Sequence, residues 1–150
     1  MSNHAYVNAF YHFVWSTKDR AKTITPSIQK ELYDYIGGIT KIKNWHLLEI
    51  GGTQDHIHIL LQKPNKQTLL SNVVRCIKSN SSKYIRDTFM IPFSWQKGYG
   101  AFSTDITSIP RIKKYIANQE NHHSQRSFEK EFELILNRYQ IEYDKNNFLE

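Results

Sequence analysis

Cysteine is nearly absent from this sequence. Cys76 stands alone in 150 residues, which excludes an intramolecular disulfide and a cysteine-based zinc site and makes a reducing, cytoplasmic interior the expected setting. Long apolar runs are missing as well: no stretch approaches the roughly 18 residues that a membrane span requires. The opening "MSNHAYVNAF" has neither the basic nor the apolar region of a secretory leader. Internal repeats, low-complexity tracts and linkers are lacking too, so a single domain over 1–150 is expected. With 39% hydrophobic residues, a chain of this length can bury a core without metal or disulfide staples. Acidic residues are the other shortage. Fourteen Asp and Glu face 20 Lys and Arg, a formal charge of +6, and 13% of residues are aromatic. An excess of positive charge interleaved with aromatic rings suits a polyanion, and unstacked bases in particular.

Hydrophobic periodicity divides the chain. Residues 5–18 are aromatic and β-branched and read as a first strand. In 25–44, Thr25 is a plausible N-cap, Pro26 falls in the first turn, and Ile28, Leu32, Tyr35, Ile36, Ile39 and Ile42 recur at helical spacing. The Gly37–Gly38 pair inside that helix suggests close packing against a sheet. Two short strands, 45–50 and 56–62, follow around a Gly-containing turn, and then a helix within 66–90. The apolar side of that helix carries Leu70, Val73, Val74, Ile77, Tyr84, Ile85 and Phe89. Its basic side carries Arg75 and Arg86, flanked by Lys78 and Lys83. Residues 92–105 read as a bent strand or hairpin in which Gly98 and Gly100 allow a bulge or the close approach of another backbone. A short helix from Thr107 to about Asn121 and a last helix over 127–139 complete the chain; the early glutamates of the last helix complement its dipole. The order β-α-β-β-α-β is that of an α+β, ferredoxin-like (RRM-like) antiparallel sheet with both helices on one face, here followed by two further helices.

The chemistry concentrates in "DHIHIL", residues 55–60. Alternate strand residues share a face, so His56 and His58 project together with Cα atoms about 6.5 Å apart and can share one divalent cation. With 7 histidines in the chain, a chance His-x-His is expected roughly one time in three, so the motif needs company. Tyr115 and Gln119, four apart on an expected helix, supply it by placing a phenol and an amide oxygen on the same side. A phenol is a nucleophile, and a divalent ion that polarises a phosphate makes attack by it feasible near neutral pH.

These pieces in this order resemble the single-tyrosine HUH transposases of small insertion sequences, including their REP-associated relatives. The likeness runs from "FVWSTKDR" through "QDHIHILL" and "SWQKGYGAFS" to "YIANQENHH". It implies the ferredoxin-like fold already reached from element order. It implies Tyr115 as the nucleophile on single-stranded DNA, forming a 5′-phosphotyrosine and freeing a 3′ hydroxyl that later rejoins strands. His56, His58 and Gln119 would be ligands to Mg²⁺ or Mn²⁺. Single-stranded DNA with hairpin ends would be the partner, and a homodimer would exchange tyrosine helices so that each completes the other's site. On this resemblance, phosphate contacts would fall on Arg75, Lys78, Lys83 and Arg86, with Lys18 and Arg20 as weaker candidates. A histidine-triad hydrolase would want a third histidine where Leu60 stands. A non-catalytic single-strand-binding module on the same fold is the remaining alternative.

Overall fold

The computed structural model describes residues 6–63, 68–123 and 126–150. Strand β1 (Ala9–Ser16) is followed by helix α1 (Pro26–Ile42), strands β2 (His46–Gly52) and β3 (His56–Lys63), helix α2 (Leu70–Phe89) and strand β4 (Gly100–Thr104). Helices α3 (Ile109–Ala117), α4 (Gln119–His123) and α5 (Phe128–Arg138) complete the order. Residue 5 of the expected first strand and residues 66 and 67 of the expected second helix lie outside the described residues. The sheet has the order β2-β3-β1-β4, antiparallel throughout, which is the ferredoxin-like arrangement. Among the described residues no helix is long and apolar enough to cross a membrane.

Strand alternation gives the sheet two buried faces. Phe13, Trp15, Ile57, Ile59 and Leu61 point to one side, where they join Ile28, Leu32 and Ile36 of α1 and Val73, Val74, Ile77 and Ile85 of α2 in the main core. Trp45 and Trp95 belong to the same cluster, so all three tryptophans are core residues. The opposite face carries two smaller clusters. Leu60 packs with Ile112 and Ile116 of α3, and Val14 and Phe102 pack with Phe128, Phe132 and Leu136 of α5. Between these clusters lie His12, His56 and His58.

The Gly37–Gly38 pair does not pack closely as its composition suggested. A Cβ on Gly37 would meet only Leu47 Cδ2, at an ordinary 3.9 Å, and one on Gly38 would meet nothing within 4 Å. The close approach is at Gly51 instead. A Cβ there would sit 2.4 Å from the carbonyl oxygen of Ile116, so the missing side chain is what lets α3 lie directly on β2. At the far end of the chain, Gly98 N donates to Glu150 O at 2.8 Å, the close backbone approach that its glycine permits. The Gln96 amide donates to Leu149 O and Glu150 O at 3.1 and 3.3 Å, while its Oε1 accepts from Ser16 N at 2.7 Å. These bonds tie the segment after α5 to the end of β1.

Two alanine substitutions should therefore differ in sign. Gly51→Ala should cost about 1–3 kcal/mol by overpacking, whereas Gly38→Ala, in open space inside a helix, should stabilise by about 0.5–1 kcal/mol. Urea midpoints at constant m value check both.

Candidate active site

His56 and His58 share the second face, but they do not face solvent as an isolated strand motif suggests: both side chains are fully buried. Ile57 between them turns into the main core, as alternation requires. Each imidazole presents Nε2 to the seam between the two small clusters. His56 Nε2 lies 2.9 Å from Gln119 Oε1 and 3.5 Å from Glu131 Oε1, and His58 Nε2 lies 2.8 Å from Glu131 Oε1. The other ring nitrogens are held from behind. His56 Nδ1 meets Asp55 Oδ1 at 2.8 Å and Thr53 Oγ1 at 3.0 Å, and His58 Nδ1 meets His12 Nε2 at 2.8 Å.

His56, His58 and Glu131 form a cluster whose donor atoms all lie within 4.8 Å of one another, and this set fits a divalent metal. Ligands about 2.1 Å from an ion and at right angles are roughly 3 Å apart, and the separations of 2.8, 2.9 and 3.5 Å bracket that value. The tautomers agree. A cation on the two Nε2 atoms requires protons on both Nδ1 atoms, and each Nδ1 has an acceptor ready, Asp55 Oδ1 for His56 and His12 Nε2 for His58. His12 can accept because it stays neutral. Burial above all, and then the neighbouring His58, lowers its pKa from 6.5 to about 3.

Tyr115 and Gln119 reach this site from two helices, not from one as expected. Helix α3 ends at Ala117, Asn118 leaves the helical region at φ −102° and ψ 24°, and α4 begins with Gln119. The break turns the Gln119 side chain inward, where it is 1% exposed. Tyr115 sits half-buried on the last turn of α3, its ring edge-on to His58 at 5.8 Å. Its hydroxyl donates to Glu131 Oε2. Burial first, and then the Glu131 charge, pushes the phenol well above its ordinary pKa. All of these groups come from one chain. Within the chain, α3 carries Tyr115 to this site, and Gly51 admits that helix onto its own sheet.

The basic residues lie elsewhere, on α2 and the turn after β1. Arg75, Lys78 and Arg86 line a cleft of about 490 Å³ between α2 and residues 94–99. Lys78 departs from the solvent-facing geometry its spacing suggested. Its Nζ donates to Gln96 O and Gly98 O at 2.8 and 2.6 Å and lies 5.5 Å from the Trp15 ring, and burial lowers its pKa to about 8. Arg86 Nη1 donates to Phe93 O at 3.0 Å, and exposed Lys83 pairs with Asp87 at 2.6 Å. Lys18 is exposed, and Arg20 pairs with Glu129 of α5 at 3.0 Å.

The family model of IS200-like transposases matches residues 5–119. The chain belongs to the IS200-like transposase family. Two solved structures share the fold of this transposase. A candidate transposase from Deinococcus radiodurans R1 is 21% identical with a TM-score of 0.65, over 79% of this chain and 96% of the other. A REP-associated tyrosine transposase bound to a REP hairpin is 14% identical with a TM-score of 0.61, over 82% of this chain and 73% of the other. No curated protein matches the sequence significantly.

Sequence reasoning overlooked Glu131, His12 and the role of Asp55. Glu131 passed as a dipole-complementing glutamate, although it lies three residues after Phe128 and four before Ile135, on the face that should be apolar. A buried-face glutamate was the available signal. His12 sits between Phe10 and Val14 on one side of an otherwise apolar strand and carried a similar signal. Asp55 stands outside β3 and cannot share its face; it acts on His56 Nδ1 from the preceding turn.

Removing the support behind a metal-ligating histidine typically costs 10–100-fold in affinity. His12→Phe, which deletes the acceptor for His58 Nδ1, should weaken Mn²⁺ binding by about that factor with the far-ultraviolet circular dichroism unchanged. Electron paramagnetic resonance titration of free Mn²⁺ measures it.

Proposed function

We propose that this transposase is a metal-dependent, single-strand-specific DNA nuclease and strand transferase in which Tyr115 is the nucleophile. The reading rests on one observation: Tyr115, His56, His58 and Gln119 converge within a single chain, with the phenol one carboxylate away from the imidazole Nε2 atoms. His56, His58 and Gln119 would hold Mg²⁺ or Mn²⁺, and Glu131 adds a carboxylate to the set. Mixed imidazole and oxygen ligation suits such an ion when it must also bind phosphate oxygens. When bound, the ion supplies polarisation of the scissile phosphate and charge stabilisation at the leaving oxygen.

In the proposed cleavage the Tyr115 oxygen attacks phosphorus and the bond from phosphorus to the 3′ oxygen breaks. The phenol proton passes to the Glu131 oxygen that already accepts it, and the departing 3′ oxygen takes a proton from solvent. The 5′ end stays linked as a phosphotyrosine. Attack by a 3′ hydroxyl reverses these steps and rejoins a strand with no external energy source. The hairpin's phosphates would lie along the α2 cleft at Arg75, Lys78 and Arg86, with Lys83, Lys18 and Arg20 at its margins. Of these, Arg75 and Lys83 are exposed on α2, while Lys78 serves chiefly by holding the wall formed by 96–98. The tyrosine acts in cis, so cleavage would not require a partner's helix, whatever the oligomeric state.

Incubation with hairpin-ended single-stranded DNA and Mn²⁺ should yield a protein–DNA adduct that survives denaturant. The adduct should vanish in Tyr115→Phe and on chelation of the metal. His58→Ala should abolish the adduct while leaving hairpin retention in a gel-shift assay largely intact. An adduct that persists in Tyr115→Phe would remove that residue from its role, and equal loss of retention and cleavage in His58→Ala would make the histidine structural.

A further inference from the structure

The family match ends at Gln119, yet the site is completed from beyond it. Glu131 lies on α5, a helix that the family match does not include. Its carboxylate is 1% exposed, and its two oxygens face different groups. Oε1 faces His58 Nε2 at 2.8 Å and His56 Nε2 at 3.5 Å, where the metal donors converge, and Oε2 accepts the Tyr115 hydroxyl.

We propose that Glu131 is a bridging carboxylate that joins the divalent ion to the tyrosine, so that metal binding and placement of the nucleophile are one event. The inference builds on the reading of Tyr115 as nucleophile, whose hydroxyl Glu131 touches directly.

Three features carry it. The first is geometric: the two oxygens of one planar carboxylate point to different functional groups, which only a side chain entering between them can do. The second is energetic. A buried carboxylate gains from a positive charge close by, and a cation held by the two Nε2 atoms would place such a charge beside Oε1 and leave Oε2 for the phenol. The third is the anchoring of α5, which leaves Glu131 little freedom. Phe128 stacks on the His56 ring at 4.7 Å and 24°, Phe132 and Leu136 pack with Phe102 and Val14, and Ser127 caps the helix by accepting from Lys130 N at 3.2 Å. Arg20 pairs with Glu129 on the outer side of the same turn. An aspartate at 131, one methylene shorter, would not span the ion and the phenol from this backbone position.

The test uses the full chain with 3-fluorotyrosine at position 115, Mg²⁺ as a diamagnetic probe for ¹⁹F resonance and Mn²⁺ for affinity. Mg²⁺ should shift the resonance of residue 115 in the otherwise unaltered protein. Glu131→Gln should weaken Mn²⁺ binding by about tenfold or more, and the ¹⁹F shift should be lost even at saturating Mg²⁺. Glu131→Asp should restore part of the affinity without the shift. Unchanged Mn²⁺ affinity in Glu131→Gln would overturn the proposal, as would a shift that persists in that variant. If the variants do not fold, the unaltered protein still decides: Mg²⁺ binding without any change at residue 115 would overturn the bridge. The two readings separate cleanly. A DNA adduct formed without metal-induced change at residue 115 leaves the nuclease standing and removes the bridge. Metal-induced change that depends on Glu131, in a protein that forms no adduct, keeps the bridge and removes the nuclease.

Discussion

The second face of the sheet is organised around the contact of the Glu131 carboxylate with His56 and His58, three side chains with 1% exposure or less. Groups of this kind are tolerated in an interior only where each polar atom meets a partner. That requirement sets the placement of everything nearby. Asp55 and Thr53 must stand behind His56, His12 must stand behind His58, and Gln119 and Tyr115 must close the front. Apolar packing on either side supplies the closing force but little direction. The Leu60–Ile112–Ile116 cluster and the Val14–Phe102–Phe132 cluster could each tolerate small slides of a helix; the polar seam between them could not.

The two faces of the sheet divide the work. Ile57, Ile59 and Leu61 root β3 in the main core against α1 and α2. The histidines that alternate with them therefore sit on a strand that cannot easily move, and a site built on such a strand holds its geometry better than one built on a loop. The elements facing them are shorter and separately anchored. Helix α3 depends on a glycine to reach the sheet, α4 is a single turn, and the segment after α5 is secured by bonds from the Gln96 side-chain amide and Gly98 N to Leu149 O and Glu150 O. A stable half thus carries the imidazoles, and a set of small, separately anchored elements carries the phenol, the amide and the carboxylate.

Much of this was legible in the sequence, residue by residue. Ile28, Leu32 and Ile36 announce α1 by spacing, Val73, Val74 and Ile77 announce α2, and the alternation of "HIHILL" places its histidines opposite Ile57 and Ile59. Element order then leads to the four-stranded antiparallel sheet. The misreadings have local causes. Gly37 and Gly38 looked like a packing device because glycine is costly in a helix, but nothing in the pattern tells whether a neighbour is close. The helix through Tyr115 and Gln119 looked continuous because periodicity does not register a one-residue break such as that at Asn118. Lys78 looked solvated because a lysine on a basic stripe usually is, whereas here it bonds backbone carbonyls of a loop 18 to 20 residues away.

What the sequence determined by itself is what depends on neighbours a few residues apart: the elements, their buried sides, and the pairing of His56 with His58 on one face. Those follow from the two repeat lengths of helix and strand, which local spacing encodes. Only the tertiary structure decided which groups from 12, 55, 115, 119 and 131 meet those histidines, and that the imidazoles lie buried. Such meetings depend on how helices dock across a sheet. They are governed by contacts like that of Gly51 with Ile116, which join residues 65 positions apart and leave no periodic trace in the chain.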